Sequence, residues 1–494
     1  MKLIDFISNC RWKLKAIKRA NELRSLKKRN KELVISRDKI KNKYDNLKIK
    51  NNELEKRNKE LDYELKKKLN PTVSKPKNHS YNTVIIQLLL SITIRGSVKF
   101  RTLEKDNKIR EEIIEVYNQA PSHVTIRNWT LKIGYYELTH QKEKADDWII
   151  LLDHSIQFGC EKILVVLGIR ESDFLKLKQP LQYTDLKTLG IINKSSWNGK
   201  LVAQEIKKIE ATIGKIKYAV GDYGSDLRNG LSLLMIPHIH DLSHLIALII
   251  EKLYKYDVRF IKFKSEMSNM RSKFIQTNIA AIVPPKGRKK SEYQSFDKII
   301  KWANAASNLI TNKLNDPEQI KYLQAYFETK TLDRIKTELS WISDYSELIT
   351  ELSEINNSIK EVEKELKHNG LSKLSLEKCK KILEKLESDK GKKLKEQLIF
   401  KINQQIQLLP DTNIILFSSD ILESIFGKYK NRVSENPMAS ITCLMLIIAA
   451  FTCKLDEESV KQSIENVKIK DIKKWSQENI GNSLFTKRRV LLAA

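Results

Sequence analysis

Residues 146–250 alternate between strand-like apolar runs and amphipathic helical segments, and this alternation constrains the fold more than any other feature of the chain. WIILLDHSIQFG and KILVVLGIR are β-branched runs separated by a turn at Cys160-Glu161, which predicts an antiparallel hairpin. There follow a helical pattern in LVAQEIKKIEATIG, a strand in KIKYAVGDYG, a short helix in LRNGLSLL, a strand in MIPHIHD and a helix in LSHLIALIIEKLYK. This order predicts an α/β layer arrangement whose mixed sheet begins with a hairpin.

Three acidic residues stand where a buried carboxylate needs an explanation. Asp153 ends the run WIILL, Asp222 ends the run YAV beside Gly221, and Glu423 lies one turn into a predicted helix in SSDILESIFGKYK. A desolvated, unpaired carboxylate costs several kcal/mol, and coordination of a divalent cation is one way to offset that cost. Hard oxygen ligands suit Mg²⁺ or Mn²⁺, and two such ions support phosphoryl transfer. We therefore predict that these three residues are catalytic and bind two metal ions.

Each acid also has a purely structural explanation. Asp153 could be a turn residue after a strand. Asp222 could form an Asx-turn with Gly224 following it, and Glu423 could be a surface residue of its helix. The prediction of a catalytic set depends on the three acids occurring together, at the ends of two strands and at the start of one helix.

The chain is strongly basic, with 90 Lys and Arg against 61 Asp and Glu and a formal charge of +29. A field of that sign attracts polyphosphates and makes their binding dependent on salt, so DNA is the expected partner.

The chain has an odd number of cysteines and no CxxC pair; they are Cys10, Cys160, Cys379, Cys443 and Cys453. This argues against a zinc site or a disulfide framework and suits a reducing cytosol. We see no secretory signal in MKLIDFISNCRWKLK. The apolar run Ile441 to Phe451 is too short for a membrane span, so it predicts a buried helix.

Residues 20–69 contain a leucine-rich heptad repeat. One seam position recurs every seven residues and holds Leu26, Leu33, Ile40, Leu47, Leu54 and Leu61. The position four residues further on holds Asn30, Arg37, Tyr44, Asn51, Asn58 and Leu65. Leucine on one seam and asparagine on the other is typical of a parallel two-stranded coiled coil. We therefore expect a homodimer, with a single solvated charged helix as the alternative.

Residues 81–140 are predicted to be three helices, the last of which starts in QAPSHVTIRNWTLKIGYYEL with Ser122 as its N-cap. A short helix, a turn and a helix with polar residues near its start form the helix-turn-helix arrangement that reads the major groove. The predicted DNA-contacting residues are Thr125, Arg127, Asn128 and Lys132. The alternative is a plain three-helix packing domain.

Taken together, these elements and acids resemble the DDE transposases of bacterial insertion sequences, which have an RNase H-like fold. Asp153 sits on the first strand before a hairpin, Asp222 ends a later strand, and Glu423 is followed seven residues later by Lys430. Such transposases carry this Glu-x6-Lys/Arg spacing on the last catalytic helix. On a helix it puts Lys430 on the same face as Glu423, where it can meet a DNA phosphate. The segment PSHVTIRNWTLKIG also resembles their N-terminal helix-turn-helix.

The distance from Asp222 to Glu423 is filled mostly by helices, and hAT-like transposases carry a similar all-helical insertion before the final Glu. Those enzymes also have a Cys-x2-His where this chain has Asp241 and His244. The two residues are therefore candidates for supporting the catalytic acids. The alternative, which we favour slightly, is that Asp241 caps the helix LSHLIALII.

The resulting prediction is an α/β RNase H-like core with a mixed sheet, a large all-α insertion, an N-terminal coiled coil and a helix-turn-helix domain. The expected domains are 1–70 (coiled coil), 81–140 (helix-turn-helix), 146–256 and 411–494 (the two parts of the core) and 257–410 (insertion). The expected activity is metal-dependent DNA strand cleavage and transfer at the ends of a mobile element, on DNA in a bacterial cytoplasm and with no membrane partner. The alternatives are a non-catalytic DNA-binding or regulatory protein derived from a transposase, and a structural coiled-coil protein.

Overall fold

The computed structural model describes residues 2–68, 75–114, 120–158, 161–177, 180–286, 296–433, 441–482 and 484–492. The chain divides into two compact units, Met1–Lys75 and Pro76–Ala494. The first contains α1 (Lys2–Lys68), one continuous helix. Five residues of the leucine seam have side chains between 53% and 65% exposed, namely Leu26, Leu33, Ile40, Leu47 and Leu54. Leu61 lies beyond the described side chains. The predicted helix is therefore confirmed, and its pairing with a second chain stays a prediction.

Three helices open the second unit: α2 (Thr83–Ile94), α3 (Phe100–Ile114) and α4 (His123–Thr139). Ser122 caps α4 as predicted, because its side chain accepts a hydrogen bond from the Thr125 amide. Four apolar residues of α4 are almost fully buried, namely Ile126, Trp129, Leu131 and Ile133, whereas Val124 in its first turn is exposed. Residues 81–140 therefore lie within the same compact unit as the sheet.

The sheet has five strands in the order β3-β2-β1-β4-β5. They are β1 (Ala145–Phe158), β2 (Glu161–Arg170), β3 (Lys187–Lys194), β4 (Gly214–Gly221) and β5 (His238–His240). β1 and β2 form the predicted antiparallel hairpin, β3 adds to it antiparallel, and β4 and β5 continue on the other side parallel to β1. The predicted mixed sheet is confirmed, and β3 is an additional strand that the sequence pattern did not indicate.

Four helices follow the strands: α5 (Glu171–Phe174), α6 (Gly199–Ile213), α7 (Ser225–Leu233) and α8 (Leu242–Tyr254). Alternate residues of β1, including Trp148, Ile150 and Leu152, pack with α6 and α7 in one buried cluster. Since successive side chains of a strand point to opposite faces, Asp153 belongs to the other face of the sheet.

The region between the two parts of the core is helical, as predicted. It contains α9 (Val258–Phe274), α10 (Phe296–Asn308), α11 (Pro317–Leu323), α12 (Thr329–Leu339), α13 (Ser346–Asn369), α14 (Lys373–Leu383) and α15 (Asp389–Gln407). The longest of these, α13, ends at Gly370, whose φ of +68° is a conformation that glycine adopts without strain. Its apolar side chains, such as Leu352 and Ile355, are buried.

The run NIILFSS after Pro410, which reads as a strand in the sequence, does not form one. It contributes an isolated antiparallel bridge between Ile415 and Leu371. Other backbone groups in this segment bond elsewhere: the Leu416 amide donates to the Tyr218 hydroxyl at 2.9 Å and the Phe417 carbonyl accepts from the Leu242 amide at 3.1 Å. The prediction of a strand was wrong because the segment satisfies these groups with a side chain and a helix start.

The chain then forms α16 (Asp420–Val433), α17 (Leu446–Thr452), α18 (Glu457–Asn466), α19 (Ile469–Asn479) and α20 (Leu484–Leu492). α17 is buried throughout, as predicted for the apolar run. It packs very closely on α4, because a Cβ atom at Gly134 would lie 2.0 Å from the Leu446 carbonyl oxygen. In the described ranges, no helix is both long and apolar enough to cross a membrane.

Candidate active site

Asp153 lies within β1, at the point where its pairing with β4 ends, and Asp222 directly follows the last residue of β4. β1 and β4 are parallel, and Leu152 is paired with Gly221, so the two acids are the next residues in register. Gly221 allows this approach, since a Cβ atom there would lie 2.6 Å from the Leu152 carbonyl oxygen. The sheet register therefore brings together two acids that are 69 positions apart in the sequence, at 153 and 222.

Local hydrogen bonds orient both carboxylates. Asp153 Oδ1 accepts from the backbone amide of His154 at 2.6 Å. Asp222 Oδ1 accepts from the Gly224 amide at 3.2 Å, so the Asx-turn weighed as a structural role for Asp222 is present. The turn does not remove Asp222 from the site, because its carboxylate still acts electrostatically on Asp153.

The environment of Asp153 disfavours a negative charge. Burial, with a contribution from the carboxylates of Asp222 and Glu423, raises the pKa of Asp153 to about 7. The backbone amide of His154 and the side chain of His244 act in the opposite direction. Three acids from separate parts of the sequence are thus close enough to influence one another.

Glu423 reaches this cluster from the first turn of α16, a helix that packs against β1. Its side chain is 52% exposed, and its Oε1 lies 3.4 Å from His244 Nε2. The hydrogen bond to Glu423 raises the pKa of His244 to about 9, with help from the charges of Asp241 and Asp222. The imidazole of His244 is therefore cationic at neutral pH and lies among the carboxylates.

Asp241 caps α8, as the structural alternative for this residue predicted, and it also contacts the segment before α16. Its Oδ1 accepts from the His244 amide at 3.1 Å. Its Oδ2 accepts from the Ser419 amide at 2.7 Å and from the Ser419 hydroxyl at 3.0 Å. With 1% exposure, this carboxylate joins the start of the helix that carries His244 to the residue before the helix that carries Glu423.

Sequence reasoning missed an ion pair on the opposite face of β1. His154 Nε2 lies 3.1 Å from Asp226 Oδ2, and Lys162 Nζ lies 3.5 Å from the same oxygen. The interaction with His154 holds the pKa of Asp226 well below its usual range. Since Asp226 is in the first turn of α7, this pair connects β1 to the helix that follows Asp222. The signal in the sequence was a second acid four residues after Asp222.

Two buried histidines beside the acids were also missed. The rings of His238 and His240 stack on Tyr223, with centroid distances of 5.0 and 4.6 Å. Burial lowers the pKa of His238 to about 4 and that of His240 to about 3, so both are neutral at physiological pH. Their signal was the His-x-His spacing on a strand, which puts both side chains on one face.

The residues predicted to contact DNA differ in their surroundings. Lys430 is exposed on α16. Thr125, Arg127 and Asn128 are half-buried on α4, and an Arg127 nitrogen lies 3.5 Å from Cys443 Sγ. Lys132 is 8% exposed, and its Nζ donates to the Ile464 carbonyl at 2.9 Å. The prediction that Lys132 faces DNA is corrected, because α18 covers that side of α4.

The oxygen donors of the site fit Mg²⁺ or Mn²⁺ in chemical type. Burial of Asp153 beside Asp222 is also the situation in which a divalent cation relieves repulsion between carboxylates. Across the described part of the chain, no group of three or more His, Cys, Asp or Glu side chains is already arranged to hold a metal ion. Glu423 is paired with His244 in this arrangement.

No model of a known protein family matches the chain, and no curated protein matches it. Among solved structures, the chain is similar to the strand transfer complex of the Drosophila P element transposase. The two are 12% identical with a TM-score of 0.37, and the match covers 80% of this chain and 98% of that one.

Proposed function

We propose that this chain is a DNA transposase of the kind encoded by insertion sequences, with an RNase H-like core that cleaves and joins DNA strands. The observation that carries the proposal is the convergence of Asp153, Asp222 and Glu423 from β1, the end of β4 and the start of α16, with Asp222 and Glu423 both acting on Asp153. The strand order, with an antiparallel hairpin at one side and parallel strands at the other, is that of an RNase H-like sheet.

In this proposal the three acids hold two divalent metal ions. Such ions, when bound, activate the attacking oxygen and stabilise the leaving 3′ oxygen. Asp153 and Asp222 supply fixed oxygen ligands, because the register of β1 and β4 sets their positions. Glu423, on the first turn of α16, would supply the third carboxylate ligand. His244 balances the negative charge of the cluster, and Lys430 binds a DNA phosphate two turns along α16.

The test is cleavage of a plasmid that carries the DNA flanking the gene, by the full chain in Mg²⁺ or Mn²⁺. We expect metal-dependent cleavage at the element ends. Asp153→Asn, Asp222→Asn and Glu423→Gln should each abolish cleavage and leave DNA binding nearly intact, because they remove charge and keep shape. The matched control is Asp173→Asn, a change in an exposed surface pair with Lys176. Full cleavage by Asp222→Asn would overturn the proposal. Binding without cleavage in either metal would indicate the non-catalytic alternative.

We further propose that α1 pairs with a second copy of the chain through its leucine seam. The exposed apolar side chains of that seam in a single chain support this. Leu47→Asp with Leu54→Asp should convert a dimer to a monomer in light scattering of the full chain and leave the core folded. Ile35→Asp with Ile49→Asp is the matched control, because these exposed residues lie off both seam positions. A monomer in the unaltered chain would disprove the pairing.

DNA sequence is proposed to be read by the start of α4, through Thr125, Arg127 and Asn128. Support comes from the polar residues around the capped first turns of that helix. A base contact is worth about 1–3 kcal/mol of discrimination. Arg127→Ala should therefore weaken binding to the element ends more than binding to unrelated DNA. An equal loss on both would make Arg127 a phosphate contact, and no loss would remove it from the interface.

A further inference from the structure

The last turn of α13, in the helical insertion, contacts the first residue of α16. Lys367 Nζ lies 2.7 Å from Asp420 Oδ2 and 3.2 Å from Glu363 Oε1. Asp420 begins α16, three residues before Glu423. The insertion therefore forms an ion pair with the helix that carries the third acid of the site.

A hydroxyl group extends this contact to α8. Ser243 Oγ donates to Glu363 Oε1 at 3.2 Å and lies 3.3 Å from Asp420 Oδ1. Ser243 precedes His244, whose imidazole pairs with Glu423. The ends of three helices thus meet in one polar cluster, which we call the α13 clamp: Ser243, Glu363, Lys367 and Asp420.

The backbone beside the clamp adds a second connection. Leu371 and Ile415 exchange two hydrogen bonds of 2.8 Å each. Gly370, which joins α13 to this bridge, fits closely, because a Cβ atom there would lie 2.5 Å from Ile414 Cγ2. The chain leaving α13 is therefore attached to the segment that leads into α16.

Lys367 is charged and has limited freedom in the clamp. Burial alone would lower its pKa, but Asp420 and Glu363 reverse that effect and the pKa is raised. Its side chain is 29% exposed. An ion pair that is partly withdrawn from water is screened less by salt than one on the open surface.

We infer that the α13 clamp positions Glu423 for metal binding, so that Lys367 is a positioning residue supplied by the helical insertion. This inference rests on the proposed function. Asp153 and Asp222 are fixed by the sheet and do not require the clamp. Glu423 is half-exposed on the first turn of a helix, and the residues around that turn bind the insertion through Asp420 and bind α8 through Ser419. Loss of the clamp should loosen the start of α16 and weaken one ligand of the metal site.

The experiment measures plasmid cleavage by the full chain across a Mn²⁺ titration, with thermal unfolding beside it. Lys367→Met should raise the Mn²⁺ concentration for half-maximal cleavage about fivefold, and cleavage should recover at saturating metal. Lys367→Arg should restore the original midpoint, because it keeps the charge. Asp420→Asn should shift the midpoint as Lys367→Met does, and the double variant should be no worse than either single one, because both remove the same pair.

The matched control is Lys385→Met, which breaks the exposed pair of Lys385 with Glu361, also on α13. It should leave the midpoint unchanged. If Lys367→Met fails to fold, Ser243→Ala tests the same clamp with no change in charge and should give a smaller shift in the same direction. An unshifted midpoint, the same shift in the control, or additive single variants would overturn the inference alone. Absence of metal-dependent cleavage by the unaltered chain would overturn the proposed function and the inference with it.

Discussion

The two acids on strands and the acid on the helix are held in different ways. The positions of Asp153 and Asp222 follow directly from the pairing of Leu152 with Gly221, so main-chain hydrogen bonds between β1 and β4 set the separation of the two acids. Glu423 is placed by side chains: His244 contacts it, and Asp241 holds the residue before its helix. The positions of the first two acids are set by strand pairing, and the position of the third depends on side-chain contacts.

This difference matters for catalysis by metal ions. In the proposed metal site, Asp153 and Asp222 would keep positions set by strand pairing, whereas Glu423, at the start of a helix, would adjust as metal and DNA bind. An active site must hold its groups closely in place, and rigid elements do this better than mobile ones. We therefore expect cleavage to be more sensitive to a change in side-chain length at Asp153 or Asp222 than at Glu423, as well as to a change in charge.

The largest expected effect is a loss of cleavage by at least about a thousandfold in Asp222→Glu, since a metal site supplies several kcal/mol of transition-state stabilisation. The longer side chain cannot keep both the bond to the Gly224 amide and the position beside Asp153. Glu423→Asp should lose less, because the start of α16 can shift towards the sheet. Single-turnover cleavage rates at saturating Mn²⁺ measure both. A greater loss in Glu423→Asp would reverse the comparison.

The next effect concerns stability and pH. The folded-state pKa of Asp153 is about 7, above its ordinary value of 3.8, so the folded chain binds a proton that the unfolded chain releases. The free energy of unfolding therefore falls as pH rises from about 4 to about 7, by at most about 4 kcal/mol.

Asp153→Asn removes this penalty. In metal-free buffer it should raise the melting temperature by several degrees at pH 8 and change it little at pH 4. Glu423→Gln is the control, because its half-exposed carboxylate interacts mainly with water and His244. An increase for Asp153→Asn of the same size at pH 4 would show that packing, and not ionisation, is responsible.

A third effect tests the connection through Asp241. Asp241→Ala leaves the amides of His244 and Ser419 without their acceptor, and the loss should be about 2–3 kcal/mol of unfolding free energy. Cleavage should fall with it, because both α8 and α16 lose their anchor. Asp257→Ala is the matched control: Asp257 caps α9 and pairs with Lys390 inside the insertion. Equal losses of cleavage per unit of lost stability would show that Asp241 has no special role at the site.

The strand acids could be located from sequence because local pattern is enough to find them. WIILL before Asp153 and YAV before Asp222 indicate buried strands, and parallel pairing of β1 with β4 brings the residues that follow these runs together. The helix that was predicted around Glu423 in SSDILESIFGKYK was also evident from local pattern, and it is confirmed as α16. Local pattern could not predict the contacts around Glu423. Lys367 is distant in sequence from Asp420, and their ion pair depends on how the insertion packs against α16.

Other errors have the same origin. β3 was not recognised because KTLGIINK is short and has a glycine at its centre, and its pairing with β2 is what makes it a strand. Lys132 was expected to face DNA because α4 has enough apolar residues for one buried face, while the burial of a second face by α17 and α18 is a tertiary property. Secondary-structure propensity describes a segment in isolation. Whether KTLGIINK forms a strand and whether Lys132 is exposed depend instead on the elements that pack against them.

The smallest expected effect is also the one that separates the two kinds of acid most clearly. Glu423→Gln breaks the contact with His244, in which the two side chains are 52% and 33% exposed. Ion pairs so open to water contribute less than about 1 kcal/mol, so the urea midpoint should hardly move and its slope should stay the same. The same variant should still lose cleavage, since one of the three proposed metal ligands is gone. If Glu423→Gln instead destabilised the chain as much as Asp241→Ala, the pair with His244 would be part of what holds α16 on the sheet. Glu423 would then be fixed by its own carboxylate, and the contrast with the strand acids would disappear.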